Sequence, residues 1–439
     1  MKRLIVMTLF LLGVNAGLIA QDDGIKWSLQ DCIDHAVENN ITIKEAALDK
    51  AGAEVDYEES KMSRLPNLSG SVSQSLTSGS SIDPITSDFV SQNIYATSLG
   101  LNSSVTLFQG NQINNQIKRS RLLVDGNSFY MEEAKNNVVL SITEAYLQAL
   151  YNKESIVIAE NTLASAEKEE ARAKARYDAG DIAIKDYTDA QSQSASFRYD
   201  FIAAKNNYAQ QVLTLKQLLE LGPEVDFDIE TKEVEAVPSL VPDKIEVYTT
   251  ALEKMPEIGG SKNDVEVAEK SLDIAKGAYL PTLSLTGGLG SGYTNTQDLN
   301  FNDQLDVNFY KRVGLSLSIP IFQRYSTKAQ VANAKIDIEK AKLSLNTKEK
   351  ELYKKVETAW LNAIAYQEQL EALRVARDAA QKSYELAQKQ YELGGLSTVD
   401  LVVSQNTYVN AAQKYTQTKY LRLLYSQLLE FYQGNDIKI

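Results

Sequence analysis

The stretch Tyr177-Asp178-Ala179-Gly180-Asp181-Ile182-Ala183-Ile184-Lys185-Asp186 returns 214 residues later as Tyr391-Glu392-Leu393-Gly394-Gly395-Leu396-Ser397-Thr398-Val399-Asp400. The same offset links Phe108 to Phe322, Ala145 to Ala359, Ala149 to Ala363, Gln191 to Gln405 and Leu215 to Leu429. Upstream, Leu65-Pro66 matches Leu280-Pro281 and Ala36 matches Ala251 at an offset of 215, so one residue of loop separates two collinear copies. Solenoid units run about 20–50 residues. A longer period means a domain-sized unit copied in tandem, with a pseudo-two-fold relation between the copies.

Proline decides where long helices can form, because it breaks a helix interior. None of the eight lies between 85 and 222 or after 320. In the second gap Leu352, Val356, Ala359, Ala363, Tyr366, Leu370 and Leu373 alternate spacings of four and three, which is a heptad seam. Val138, Ile142, Ala145, Ala149, Asn152, Ile156 and Ala159 repeat it in the first. Residues 111–178 and 326–392 are therefore expected to be single helices, each roughly 100 Å long at 1.5 Å per residue. Trp360, Ile364 and Leu386 lie off the seam, as in helices with neighbours on two sides. Return helices are expected at 186–220 and 400–432, upstream helices at 43–64 and 258–279, and short ones at 28–40 and 243–255. The first repeat then spans 21–221, a linker 222–242, the second repeat 243–432 and a tail 433–439. The breaks between return and upstream helices form a belt at mid-height.

After each Leu-Pro the period changes to two. Leu99, Leu101, Val105 and Leu107 alternate with Gly100, Asn102, Ser104 and Thr106; Leu283, Leu285 and Leu289, and Val313, Leu315, Leu317 and Ile319, do likewise. Leu68, Gly70 and Val72 form a weaker version. One apolar face and one polar face predict strands of about ten residues, joined by polar loops at 78–94 and 291–311. Four short strands cannot close a barrel alone, and hydrocarbon does not tolerate open edges. Closure requires several chains in one ring.

Residues 1–20 read as a secretory signal peptide: Lys2 and Arg3, an apolar run from Leu4 to Leu12, then small residues, with cleavage after Ala16 or Ala20. No stretch of eighteen apolar residues follows, so no transmembrane helix is expected. The formal charge of −13, more negative still without Lys2 and Arg3, argues against nucleic acid as a partner. Cys32, the single cysteine, has no partner for an internal disulfide and is expected to be a small buried residue. With His35 the single histidine, the chain holds no histidine-cysteine metal set. Gly287, Gly288, Gly290 and Gly292 lack the Lys-Ser/Thr of a phosphate loop. The reading is a non-enzyme, without cofactor or bound metal.

The tandem duplication, the Leu-Pro before each hairpin, and Leu107-Phe108-Gln109-Gly110 and Ile319-Pro320-Ile321-Phe322 ahead of the long helices resemble the TolC family of outer-membrane efflux factors. So does the turn pattern Tyr-x-x-Gly-x5-Asp-x4-Gln in both copies. The likeness covers nearly the whole mature chain, although Gln109 and Gln323 stand where the family often has an acidic residue. It implies a mainly α chain with a transmembrane β part. Three copies would form a homotrimer with a twelve-stranded barrel in outer-membrane lipid, four strands per chain, and a coiled α-helical barrel crossing the periplasm. The implied function is a passive exit duct for a periplasmic adaptor and an inner-membrane pump, with small-molecule, protein and metal-ion export all open. A coiled-coil structural or adhesive protein is the alternative; it does not need an amphipathic hairpin in each repeat.

The turns carry the candidate sites. Gly180 and Gly394 suit the left-handed end of a helix, and Ser397 to Asp400 resembles a capping box, with Asp181 the candidate cap in the first copy. Asp186 and Asp400 suit the first turn of a helix. The resemblance adds that, with Asp189, they ring an acidic aperture at the tunnel's narrow end. It likewise implies that Ala179, Gly180, Ile182, Leu393, Gly394 and Leu396 dock the adaptor. Tyr177 and Tyr391 are expected to pack the bundle's end. The Glu and Lys residues of the long helices, such as Glu349 and Glu357 beside Lys350 and Lys354, are expected on solvated faces with i,i+4 pairs.

Overall fold

The computed structural model describes residues 26–82, 85–91, 93–231 and 241–437; the expected signal segment and linker residues 232–240 lie outside them. In chain order the elements are β1 (Lys26–Trp27), α1 (Leu29–Asn39), α2 (Ile41–Met62), β2 (Asn67–Thr77), β3 (Ser80–Ile82), β4 (Phe89–Ser91) and β5 (Ile94–Gln109). Then follow α3 (Gln112–Asp178), α4 (Ile184–Leu218), β6 (Asp228–Ile229), α5 (Lys244–Lys254) and α6 (Pro256–Gly277). The second copy ends with β7 (Thr282–Thr294), α7 (Phe301–Val307), β8 (Tyr310–Ser318), α8 (Ser326–Glu392) and α9 (Thr398–Tyr432).

The main sheet is antiparallel in the order β2-β5-β7-β8. Its register aligns the alternation across strands. Val105, Leu285 and Leu315 form one row, Leu101 faces Leu289, and Val72 faces Leu99. The other face carries Ser104, Thr286 and Gly314 in one row and Asn102, Gly288 and Arg312 in another. One face of the whole sheet is thus apolar, yet Leu68, Val72, Val313, Leu315 and Leu317 are exposed.

The helices repeat the strand order. Nearest the sheet, α2 packs on α3, α3 on α6 and α6 on α8. Towards the far end α4 and α9 flank α3, and α9 packs on α8. So α4 takes over the column of α2, and α9 that of α6, beside two unbroken helices of 67 residues each. At the handover lie two cores built alike. Cys32, Ala36, Ile142, Ala145, Ala149 and Leu215 in one correspond to Val247, Ala251, Val356, Ala359, Ala363 and Leu429 in the other, all buried. Burial pushes the Cys32 thiol up to about 12, as for an unreactive core residue.

Several details differ from the sequence reading. The segments expected as loops contain structure: β3 and β4 pair as a small hairpin, and α7 is capped by Asn300. Strand β5 runs sixteen residues rather than ten, because Ile94 to Ser98 continue the ladder with β2 ahead of the apolar run. In the belt, β1 pairs in parallel with β6, and Tyr146 bonds to the carbonyls of Trp27 and Glu230. Upstream helices begin two residues early because Asn40 caps α2 and Pro256 is the first residue of α6. Glu357 pairs across helices with Lys244, and the short-range ion pairs on α8 are spaced i,i+3, apart from the adjacent Arg377 and Asp378.

Two junctions fix the turn from strand to long helix. Gly110 and Asn111 are both left-handed, as are Arg324 and Tyr325 at the same 214-residue offset. A Cβ on Gly110 would lie 2.2 Å from the Gly277 carbonyl oxygen, so the chain crosses the end of α6 at backbone contact. At the ends of the return helices, left-handed Gly434 corresponds to Glu220 with φ 56°. Gly110→Ala should therefore lower stability by about 2 kcal/mol or more, whereas Glu220→Gly should raise it by about 1 kcal/mol. Thermal unfolding followed by circular dichroism checks both signs.

Candidate functional site

The two turns at the far end close by the same hydrogen bonds. Gly180 N–H donates to the Tyr177 carbonyl and Asp181 N–H to that of Arg176; Gly394 N–H donates to Tyr391 and Gly395 N–H to Gln390. These are paired Schellman closures, with φ of 81° at Gly180 and 78° at Gly394. Asp186 and Asp400 each occupy the third position of the helix that follows.

The starts of those helices differ. The Ser397 hydroxyl accepts from Asp400 N–H at 3.2 Å and donates to its carboxylate at 2.7 Å. This is half a capping box; the full box is made by Ser28 and Asp31 on α1. Ala183 stands at the start of α4 with no side-chain cap, so Asp181 does not fill that role. Asp189 is engaged by Lys185, whose ammonium is pushed up in pKa by that hydrogen bond.

The aromatic side chains diverge as well. Tyr391 is 5% exposed and packs with Tyr384 and Leu401, with Leu396 partly buried against them. Tyr177 is 38% exposed and stacks on Tyr187 at 5.9 Å between centroids. Leu393 is 88% exposed, Ala179 and Gly180 are exposed, and Ile182 is half-buried.

Sequence reasoning missed a bridge just inside the turns. The Ser165 and Tyr384 hydroxyls lie 3.0 Å apart, and the Gln388 amide donates to both. Arg172 reaches Glu392 at 3.2 Å and Glu169 at 3.4 Å. Burial holds the Glu169 carboxyl above the usual range despite the Arg172 guanidinium, with Glu392 adding to the rise. These contacts tie α3 of one repeat to α8 of the other. No periodicity signals them, because the partners are about half a chain apart.

A family model described as outer membrane efflux protein matches the chain twice, over residues 32–220 and 247–435. The chain belongs to that family. As an outer membrane efflux protein it is a channel of the outer membrane that extends into the periplasm. It is 22% identical over 311 residues to outer membrane efflux protein BepC of Brucella suis biovar 1, covering 71% of this chain and 66% of that one. It is 23% identical over 395 residues to probable outer membrane lipoprotein SilC of Salmonella typhimurium, covering 89% and 82%. Among solved structures, CusC superposes with a TM-score of 0.81 at 18% identity over 94% of this chain and 93% of that one. Each matched span takes in one strand pair, one long helix and one return helix.

The unequal caps predict unequal fraying in this efflux protein. Ser397→Ala should cost about 1 kcal/mol at the start of α9, and Ala183→Ser should add about as much at α4. Hydrogen exchange of the first-turn amides, 184–187 against 398–401, reads both.

Proposed function

We propose that three copies of the chain close a twelve-stranded barrel in the outer membrane and serve as the passive exit duct of a tripartite efflux pump. The observation that carries this is the shared order of strands and helices, with β2 and α2 at one edge and β8 and α8 at the other. Both edges end unpaired, and both edge columns expose apolar residues at helical spacing. Ile41, Leu48, Val55 and Met62 stand seven apart on α2; Ile336, Leu343, Leu361 and Leu386 line α8. A neighbouring copy satisfies both edges at once. Strands of 11, 16, 13 and 9 residues suit a span that needs about 9–11. Among the described residues no helix is long and apolar enough to cross a membrane.

The partners of this reading are a periplasmic adaptor and an inner-membrane pump that supplies the energy. Adaptor docking falls to the turn residues Ala179, Gly180, Ile182, Leu393, Gly394 and Leu396, of which Ile182 and Leu396 are half-buried and the others exposed. Three-fold symmetry gathers Asp186 and Asp400 into six carboxylates at the narrow end. Clustered carboxylates attract cations. Asp189, held by Lys185, is the weaker contributor. The substrate is what the pump delivers.

Purified protein added to planar bilayers should open discrete, cation-preferring channels, and outer-membrane fractions should hold heat-modifiable trimers. Asp186→Asn with Asp400→Asn should weaken cation selectivity and block. Release into the soluble periplasmic fraction without detergent would instead favour a coiled-coil scaffold.

A further inference from the structure

The two ends of the main sheet carry opposite charge. The connections 78–93 and 295–309 hold five aspartates and no lysine or arginine. The helix-side segments 57–66, 110–121, 270–281 and 319–330 hold nine lysines and arginines against three carboxylates, in a chain whose net charge is −13. Two of those carboxylates are already engaged, Glu58 by Lys61 and Asp273 by Lys270. Lys118, Arg119, Arg121, Lys276, Arg324 and Lys328 have no ion-pair partner among the described residues. The Arg119 Nε is buried without a hydrogen-bond acceptor. All six lie within about 15 Å of the strand ends at 1.5 Å per helical residue.

Beside these cations the chain exposes large apolar groups where the strand pattern ends. Ile321 is 93% exposed and Phe322 83%, and Tyr279 and Tyr325 are also exposed. Ile319 and Ile321 continue the sequence alternation of Val313, Leu315 and Leu317 past Ser318, the last paired residue of the strand. An apolar band that passes directly into unpaired cations matches the boundary between acyl chains and phosphate headgroups.

We propose that this collar binds anionic glycerophospholipid headgroups of the periplasmic leaflet. The inference rests on the reading that the sheet lies in the outer membrane with the helices in the periplasm. It adds a lipid class and a place: phosphate oxygens accept from the arginine and lysine donors, while Ile321, Phe322 and Tyr325 enter the chains above them. Three copies would make a continuous basic belt. The acidic loops give the opposite face no such affinity, so the lipid preference is one-sided.

The test is native mass spectrometry of protein released from nanodiscs holding equal amounts of phosphatidylglycerol and phosphatidylcholine. Wild-type protein should retain phosphatidylglycerol at least about fivefold over phosphatidylcholine, and rising salt should erode the preference. The variant Lys118→Gln, Arg121→Gln, Lys276→Gln, Lys328→Gln should retain the two equally with single-channel conductance unchanged. Equal retention by wild type, or an enrichment insensitive to salt, overturns the proposal while leaving the channel intact. Displacement of the lipid by millimolar inorganic phosphate overturns it in favour of a free-anion site. A change in anion selectivity without a change in lipid retention places the charges in the lumen and also overturns it. Absence of any channel from both proteins strikes the underlying reading instead.

Discussion

Backbone N–H and C=O groups that lie in hydrocarbon must be hydrogen-bonded within the protein, because no water is there to take them. The main sheet of this chain has an apolar face running across four strands and unpaired edges at β2 and β8. In the proposed assembly those edges meet their counterparts in other copies. Every larger feature follows from that need. Strand order is carried into helix order, so closing the strands also closes the helices. A ring of strands becomes a tube of columns without further design.

The duplication makes that continuation possible. Each repeat supplies a strand pair, one unbroken helix and two shorter helices that together match its length. The handovers sit beside two equivalent cores, where α1 and α5 seal the breaks with alanine-rich contacts. Small residues at these positions let helices approach closely, which is why Ala145, Ala149, Ala359 and Ala363 recur in register. The copies have since diverged where each meets different neighbours. Tyr391 is buried where Tyr177 stacks at the surface, and Gly434 holds with ease a backbone that Glu220 holds against steric strain.

Much of this was legible in the sequence because long helices and membrane strands impose simple periods. Proline-free gaps located α3 and α8, the repeated Tyr-x-x-Gly turns marked where they end, and heptad spacing picked out Leu352, Val356, Ala359 and Ala363 as buried. What escaped was local pairing without a period. The β3–β4 hairpin and α7 lie in polar segments with no amphipathic signature, and β1 and β6 are two residues each. At the turns, the glycines and Ser397 announced themselves through backbone chemistry. The bridge of Ser165, Tyr384, Gln388, Arg172 and Glu392 did not, since its members meet only after α3 and α8 have been brought together by folding.

The most direct test of edge closure is disulfide trapping between columns that face outward from one chain. Leu48 lies fourteen residues above Met62 and Leu343 seventeen beyond Ser326, so both stand roughly 21–26 Å below the strands at 1.5 Å per residue. Oxidation of the Leu48→Cys, Leu343→Cys protein in isolated outer membranes should give a ladder ending at a covalent trimer. Neither substitution alone, with only the buried Cys32 beside it, should form one. A double variant that stays monomeric on a non-reducing gel, although it is folded and membrane-bound, would contradict closure by neighbouring copies.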